Sequence, residues 1–183
     1  GSEADVEQFH ALAGALRSMA DGNTDNQQAI AKQGGVPFLI ALLRSGSRRS
    51  VHKDAAAVLW SLAAWVDNRQ LIASAGGIAP LVALLEHGDD GAQYTSAGAV
   101  RALAECAHNR VAIAEADGVR ALVRLLESGS ELAKEEAAGA LSNLVIANAS
   151  NQAAVANELV AKLSEHSEAR AAAPGVIGVP AVK

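Results

Sequence analysis

The segment Gly76-Gly77-Ile78-Ala79-Pro80-Leu81-Val82-Ala83-Leu84-Leu85 decides the fold, because the chain carries it three times. An earlier copy is Gly34-Gly35-Val36-Pro37-Phe38-Leu39-Ile40-Ala41-Leu42-Leu43, and a later one is Asp117-Gly118-Val119-Arg120-Ala121-Leu122-Val123-Arg124-Leu125-Leu126. The second glycines stand at 35, 77 and 118, steps of 42 and 41. An asparagine recurs independently at Asn26, Asn68, Asn109 and Asn151, with steps of 42, 41 and 42. Two residue types on one period mark an array of stacked supersecondary units.

Each unit reads as three helices. A short first helix starts at Asp25-Asn26, Asp67-Asn68, Asn109 or Ser150-Asn151, whose side chains are expected to cap its free amides. It ends at the glycine pair, where a positive φ costs little. The second helix carries an apolar face such as Leu39, Leu42 and Leu43, with Pro37 or Pro80 in its first turn, where no intrahelical donor is lost. It stops at Ser45-Gly46-Ser47, His87-Gly88 or Ser128-Gly129-Ser130. The third helix is Ala-rich and is expected over Asp54 to Val66, Tyr94 to Ala107, and Glu131 to Ala147, the last capped by Ser130. Its apolar residues recur at i, i+3 and i+4, as in Val58, Leu59 and Leu62, and no strand-like alternation competes.

The plan that follows is all-α. Residues 1–5 form a leader in which Gly1-Ser2 reads as an expression scar. Residues 6–24 match a third helix alone, since Gly14 to Met19 align with Gly139 to Leu144. Three full units occupy 25–66, 67–107 and 108–149. A degenerate capping unit at 150–166 keeps Val155, Leu159, Val160 and Leu163 at helical spacing but has no glycine pair. A tail at 167–183, with Pro174, Gly175, Gly178 and Pro180, is expected to be extended or disordered rather than helical.

Half of the 183 residues are apolar and only 3% are aromatic, so the core is built from Ala, Leu, Val and Ile. A net charge of −5 and a pI near 5.5 argue against a nucleic-acid partner, which needs cations along its phosphates. One cysteine, Cys106, makes neither an internal disulfide nor a multi-cysteine zinc site and fits an intracellular setting, cytoplasmic or nuclear. The apolar stretches stop short of the ~18 residues of a membrane span. The five histidines are scattered, and no phosphate-loop, nucleophile-elbow or zinc-protease motif is present. No metal, cofactor or enzymatic activity is expected.

The units resemble the armadillo family over roughly residues 6–163, through the Asn-rich helix start, the GG-[VI]-x-x-[LI]-[VI]-x-LL segment and the Ala-rich third helix ending in Leu144-Val145-Ile146-Ala147-Asn148. The resemblance implies a right-handed α-solenoid whose concave face, lined by third helices, holds an extended peptide or disordered segment of a protein partner. In the importin-α branch a Trp, and four residues later an Asn, recur there and clamp basic signals. The matching places here are Gly14, Ala57, Gly98 and Gly139 for Trp, and Ser18, Ser61, Ala102 and Asn143 for Asn. Only Asn143 matches, so a receptor for basic signals is not implied.

The neighbouring rung is Arg17, Trp60, Arg101 and Ser142. With glycine-sized gaps beside it, this rung suits an acidic or apolar extended segment. Arg17, Ser18, Trp60, Ser61, Arg101, Ala102, Ser142 and Asn143 are therefore the candidate groove residues. Three further readings stand beside this one. Trp65 is a second aromatic candidate. Arg44, Arg48, Arg49, His52 and Lys53 form a basic turn. The alternative function is self-assembly through the solenoid ends, near Phe9, Leu12, Leu159 and Leu163, or through docking of tail residues Val176-Ile177 or Val179-Pro180 on a groove.

Overall fold

The computed structural model describes residues 3–45 and 49–172, and these contain eleven helices and no strand. In chain order they are α1 (Glu3–Ala20), α2 (Thr24–Lys32), α3 (Gly35–Arg44), α4 (Arg49–Leu62), α5 (Val66–Ser74), α6 (Ile78–His87), α7 (Asp90–Leu103), α8 (Ala107–Glu115), α9 (Gly118–Ser128), α10 (Glu131–Leu144) and α11 (Ala149–Ala172). The third helices α1, α4, α7 and α10 pack side by side as one layer, and the second helices α3, α6 and α9 as another. Leu39, Leu81 and Leu122 from the second helices and Leu62, Leu103 and Leu144 from the third are all fully buried. Removing each such side chain from water is worth about 1.5–3 kcal/mol. These leucine ladders hold each unit to its neighbours with almost no aromatic help.

The glycine pair serves two separate purposes. Its first member takes the left-handed conformation, with φ 83° at Gly34, 77° at Gly76 and 62° at Asp117. Its second member admits the preceding helix: a Cβ on Gly118 would lie 2.6 Å from both the carbonyl oxygen and Cγ2 of Ile113, and Gly35 and Gly77 stand likewise against Ile30 and Ile72. Where Leu159 and Val160 replace the pair, the chain does not turn, and α11 runs on as a single helix through Ala172. Residues 167–172 are thus helical, not extended; the rest of the tail, with Val176-Ile177 and Val179-Pro180, lies outside the described residues.

The recurrent asparagines do not cap the amides of their own helix. Each turns back and donates Nδ2 to a carbonyl at the end of the preceding third helix: Asn26 to Met19, Asn68 to Leu62, Asn109 to Leu103 and Asn151 to Leu144, at 2.9–3.2 Å. Those carbonyls lie at helix ends, where few amides reach them; Leu62 and Leu103 otherwise accept from the Trp65 and Cys106 amides of the turn. The next residue does the same: Gln27 reaches Ala20, Arg69 reaches Ala63, Arg110 reaches Ala104 and Gln152 reaches Val145. This dipeptide joins unit to unit, which is why it is periodic.

Third helices also end earlier than their composition suggests. α4, α7 and α10 stop at Leu62, Leu103 and Leu144, and Val66 and Ala107 open the next first helices. The N-caps of α5 and α8 are Trp65 and Cys106, neither with a capping side-chain bond, whereas Asn23 and Asn148 at the outer equivalents accept from Asn26 and Asn151 amides at 3.0 Å. Cys106→Asn is therefore expected to add a cap worth about 0.5–1 kcal/mol, read as a higher midpoint in thermal unfolding. Ser130 and Asp89 cap α10 and α7 through Ala133 and Ala92 amides.

A candidate binding face on the third-helix layer

The outward rung comprises Arg17, Trp60, Arg101 and Ser142 from α1, α4, α7 and α10. The side chains of Arg17, Trp60 and Arg101 lie across the next third helix rather than beside open space. The Trp60 indole covers Gly98 so closely that a Cβ there would fall 2.5 Å from ring carbons. Arg101 covers Gly139 in the same way, 2.6 Å from its Nε. The glycine-sized gaps expected from the sequence are filled, because a glycine at this place lets the preceding rung residue lie down on it.

Each arginine of the rung also meets a carboxylate on the following helix. Arg17 Nε stands 3.1 Å from Asp54, which is 7% exposed, with His10 Nδ1 3.9 Å away. Arg101 Nη1 lies 3.2 Å from Glu136, 13% exposed. Asp54, Thr95 and Glu136 hold the same place on successive third helices, and between the two ion pairs Thr95 faces the Trp60 helix, donating Oγ1 to Lys53 or to its own helix carbonyls. Glu136 is thus a paired group and not a solvated surface charge. Trp60 and Tyr94 meet edge to face at 5.3 Å and 84°, which fixes the indole.

A shallow basin of about 230 Å³ opens here, lined by Trp60, Gly98, Arg101, Ala102, Glu105 and Glu136. Glu105 is in turn held by Arg69 at 2.6 Å. Three of the candidate residues, Trp60, Arg101 and Ala102, come together in it. Ser18 and Ser142 donate to carbonyls of their own helices, Gly14 at 3.1 Å and Ala138 at 2.9 Å. Asn143 Nδ2 donates across to the Arg101 carbonyl at 3.0 Å, Ser61 is half-buried, and Arg17 lies at α1, away from the basin. Glu105 and Glu136 are not among the candidate residues read from the sequence, and Gly98, expected as an open gap, is a seat for Trp60. The signal lay in offsets of 35–38 residues, as in Arg101 with Glu136 or Trp60 with Gly98, slightly shorter than the repeat.

Trp65 stands apart from this face, beside α2 and α5, where its Nε1 donates to Gln27 Oε1 at 3.1 Å. The expected basic turn is helical from Arg49 onward, since α4 holds Arg49, His52 and Lys53, and Arg49 is exposed. Arg44 donates to the Gly76 carbonyl at 2.9 Å, the His52 ring bonds the Ser45 carbonyl, and Lys53 lies against Gly91; Arg48 falls outside the described residues. Among the described residues no group of three His, Cys, Asp or Glu is placed to hold a metal, and no single helix is long and apolar enough to cross a membrane.

Stacked three-helix units with one continuous third-helix layer define an α-solenoid repeat protein. The family model for the Armadillo/beta-catenin-like repeat matches residues 23–64, 66–105 and 106–146, and the chain belongs to this family. No curated protein sequence matches it. Among solved structures it resembles an engineered protein from the Northeast Structural Genomics Consortium at 31% identity and TM-score 0.78, over 86% of this chain and 64% of that one. A second engineered protein from the same source is 34% identical with TM-score 0.74, over 80% of this chain and 36% of that one. A designed armadillo repeat protein in complex with the peptide (KR)4 shares the fold at 24% identity and TM-score 0.73, over 86% and 70% of the two chains. The chain thus spans less than two thirds of the length of the two engineered proteins at 31% and 34% identity.

Proposed function

We propose that this chain is a non-catalytic interaction module whose third-helix face binds an extended segment of another protein, with the Trp60 basin taking an apolar side chain. The observation that carries this reading is the basin itself, an indole held by Tyr94 over a glycine floor, in a face whose arginines already have carboxylates. Asp54 and Glu136 already partly neutralise the rung arginines, so an acidic guest would share a paired cation, and an apolar guest against the indole fits this rung better. Support also comes from a neighbour described as designed for modular peptide recognition.

Selection from a random-peptide display library tests the reading. Binders are expected to share an apolar side chain, and Trp60→Ala is expected to weaken them by about tenfold or more, an anchor's usual share. Binders that are uniformly acidic, or that hold equally well to Trp60→Ala, would refute it.

A further inference from the structure

The outward side chains of α4 and α7 form two rungs, Lys53 with Tyr94 and, about two helical turns further along, Trp60 with Arg101. For each of the four, the residue 38 positions later lies on the next third helix: Gly91, Leu132, Gly98 and Gly139, in the same order. Three of these seats are glycines, and all three are occupied. A Cβ would fall 2.7 Å from Lys53 Cδ at Gly91, 2.5 Å from ring carbons of Trp60 at Gly98 and 2.6 Å from Arg101 Nε at Gly139. So close an approach leaves no room for a side chain at the seat.

The fourth seat breaks the pattern. Leu132 already carries a Cβ there, and at 59% exposure it is not covered as the three glycines are. Tyr94, which has this seat, turns the other way. Its ring meets Trp60, on the preceding third helix, edge to face at 5.3 Å and 84°. The two postures exclude one another, since one ring cannot lie toward α10 and also toward α4.

We infer that Leu132 is a positioning residue for the Trp60 basin, although it does not line it. By filling its own seat it leaves Tyr94 the posture that fixes the indole. The Cβ is the cause, not the bulk of the leucine. A glycine at 132 gives Tyr94 the seat that Gly139 gives Arg101, and the ring then gains apolar contact against α10. Trp60 keeps its glycine floor but loses the edge contact that sets its plane. The effect on binding rests on the basin being the anchor's seat; the effect on the indole does not.

Fluorescence in a Trp65→Phe background, where Trp60 is the sole tryptophan, tests this without any ligand. Leu132→Gly is expected to lower the anisotropy of Trp60 and raise its quenching by acrylamide, with helical content and melting midpoint measured alongside. Leu132→Ala is expected to keep the parent values, because its Cβ still blocks the seat. In a Tyr94→Ala background, where the indole has already lost its partner, Leu132→Gly is expected to change nothing further. For a peptide taken from the display selection, Leu132→Gly is expected to weaken binding about two- to tenfold, the worth of one aromatic pair.

Unchanged Trp60 fluorescence in Leu132→Gly overturns the inference. So does an equal change in Leu132→Ala, or one that persists in full without Tyr94. A freed indole with undiminished peptide affinity upholds the role of Leu132 and counts instead against Trp60 as the peptide's anchor.

Discussion

Gly118→Ala is expected to lower stability by about 1–3 kcal/mol, while Asp117→Gly, one residue away, is expected to raise it by up to about 1 kcal/mol. The opposite signs follow from the two purposes of the pair. At Gly118 the backbone is ordinary but the space is not: a Cβ would sit 2.6 Å from a carbonyl oxygen that cannot move without bending α8. At Asp117 the space is ordinary but φ is 62°, a conformation that glycine adopts without strain. The exposed Asp117–Arg120 ion pair at 3.0 Å that is lost with Asp117→Gly offsets little of the gain. For a chain of this size each kcal/mol moves the melting midpoint by about 2–4 °C, so thermal unfolding followed by circular dichroism separates the two variants.

Arg110→Ala is expected to cost about 2–4 kcal/mol, because hydrogen bonds from a charged donor are worth about 1.5–3 kcal/mol each and this guanidinium makes several, partly open to water. It gathers three carbonyls: Ala104 and Glu105 at the end of α7, and Ile146 past the end of α10. Arg110→Lys is expected to recover less than half of the loss, since one ammonium cannot span three divergent acceptors. The deficit falls at a junction between units, so amide hydrogen exchange is expected to quicken in α10 and α11 ahead of α4 and α6. Uniform quickening along the whole chain would show that the units unfold as one and that the strut is not local.

The solenoid was readable because its period rests on positions that tolerate little else, a left-handed turn and a glycine pressed against an isoleucine. Helix ends were less readable. The turn between third and first helices runs through Ala63 to Trp65, or Ala104 to Cys106, without glycine, proline or positive φ, so its composition matches the helix it terminates. The candidate face was half readable. Periodicity picks out Arg17, Trp60 and Arg101, but it does not show that each lies down on the following helix. A glycine at that place looks like a gap in a list of residues and acts as a seat in the fold. The asparagine ladder shows the same limit, since its spacing is visible and the direction in which it donates is not.

In the proposed binding mode Trp60 is the anchor of an open basin in an otherwise paired face. Trp65→Phe leaves Trp60 as the sole indole, and its emission reports the basin directly. On titration with a peptide selected from the display library, the emission of this variant is expected to shift and saturate at the affinity measured independently by fluorescence anisotropy of the labelled peptide. Saturable binding by anisotropy with no change in Trp60 emission would place the peptide elsewhere and rule out Trp60 as its anchor.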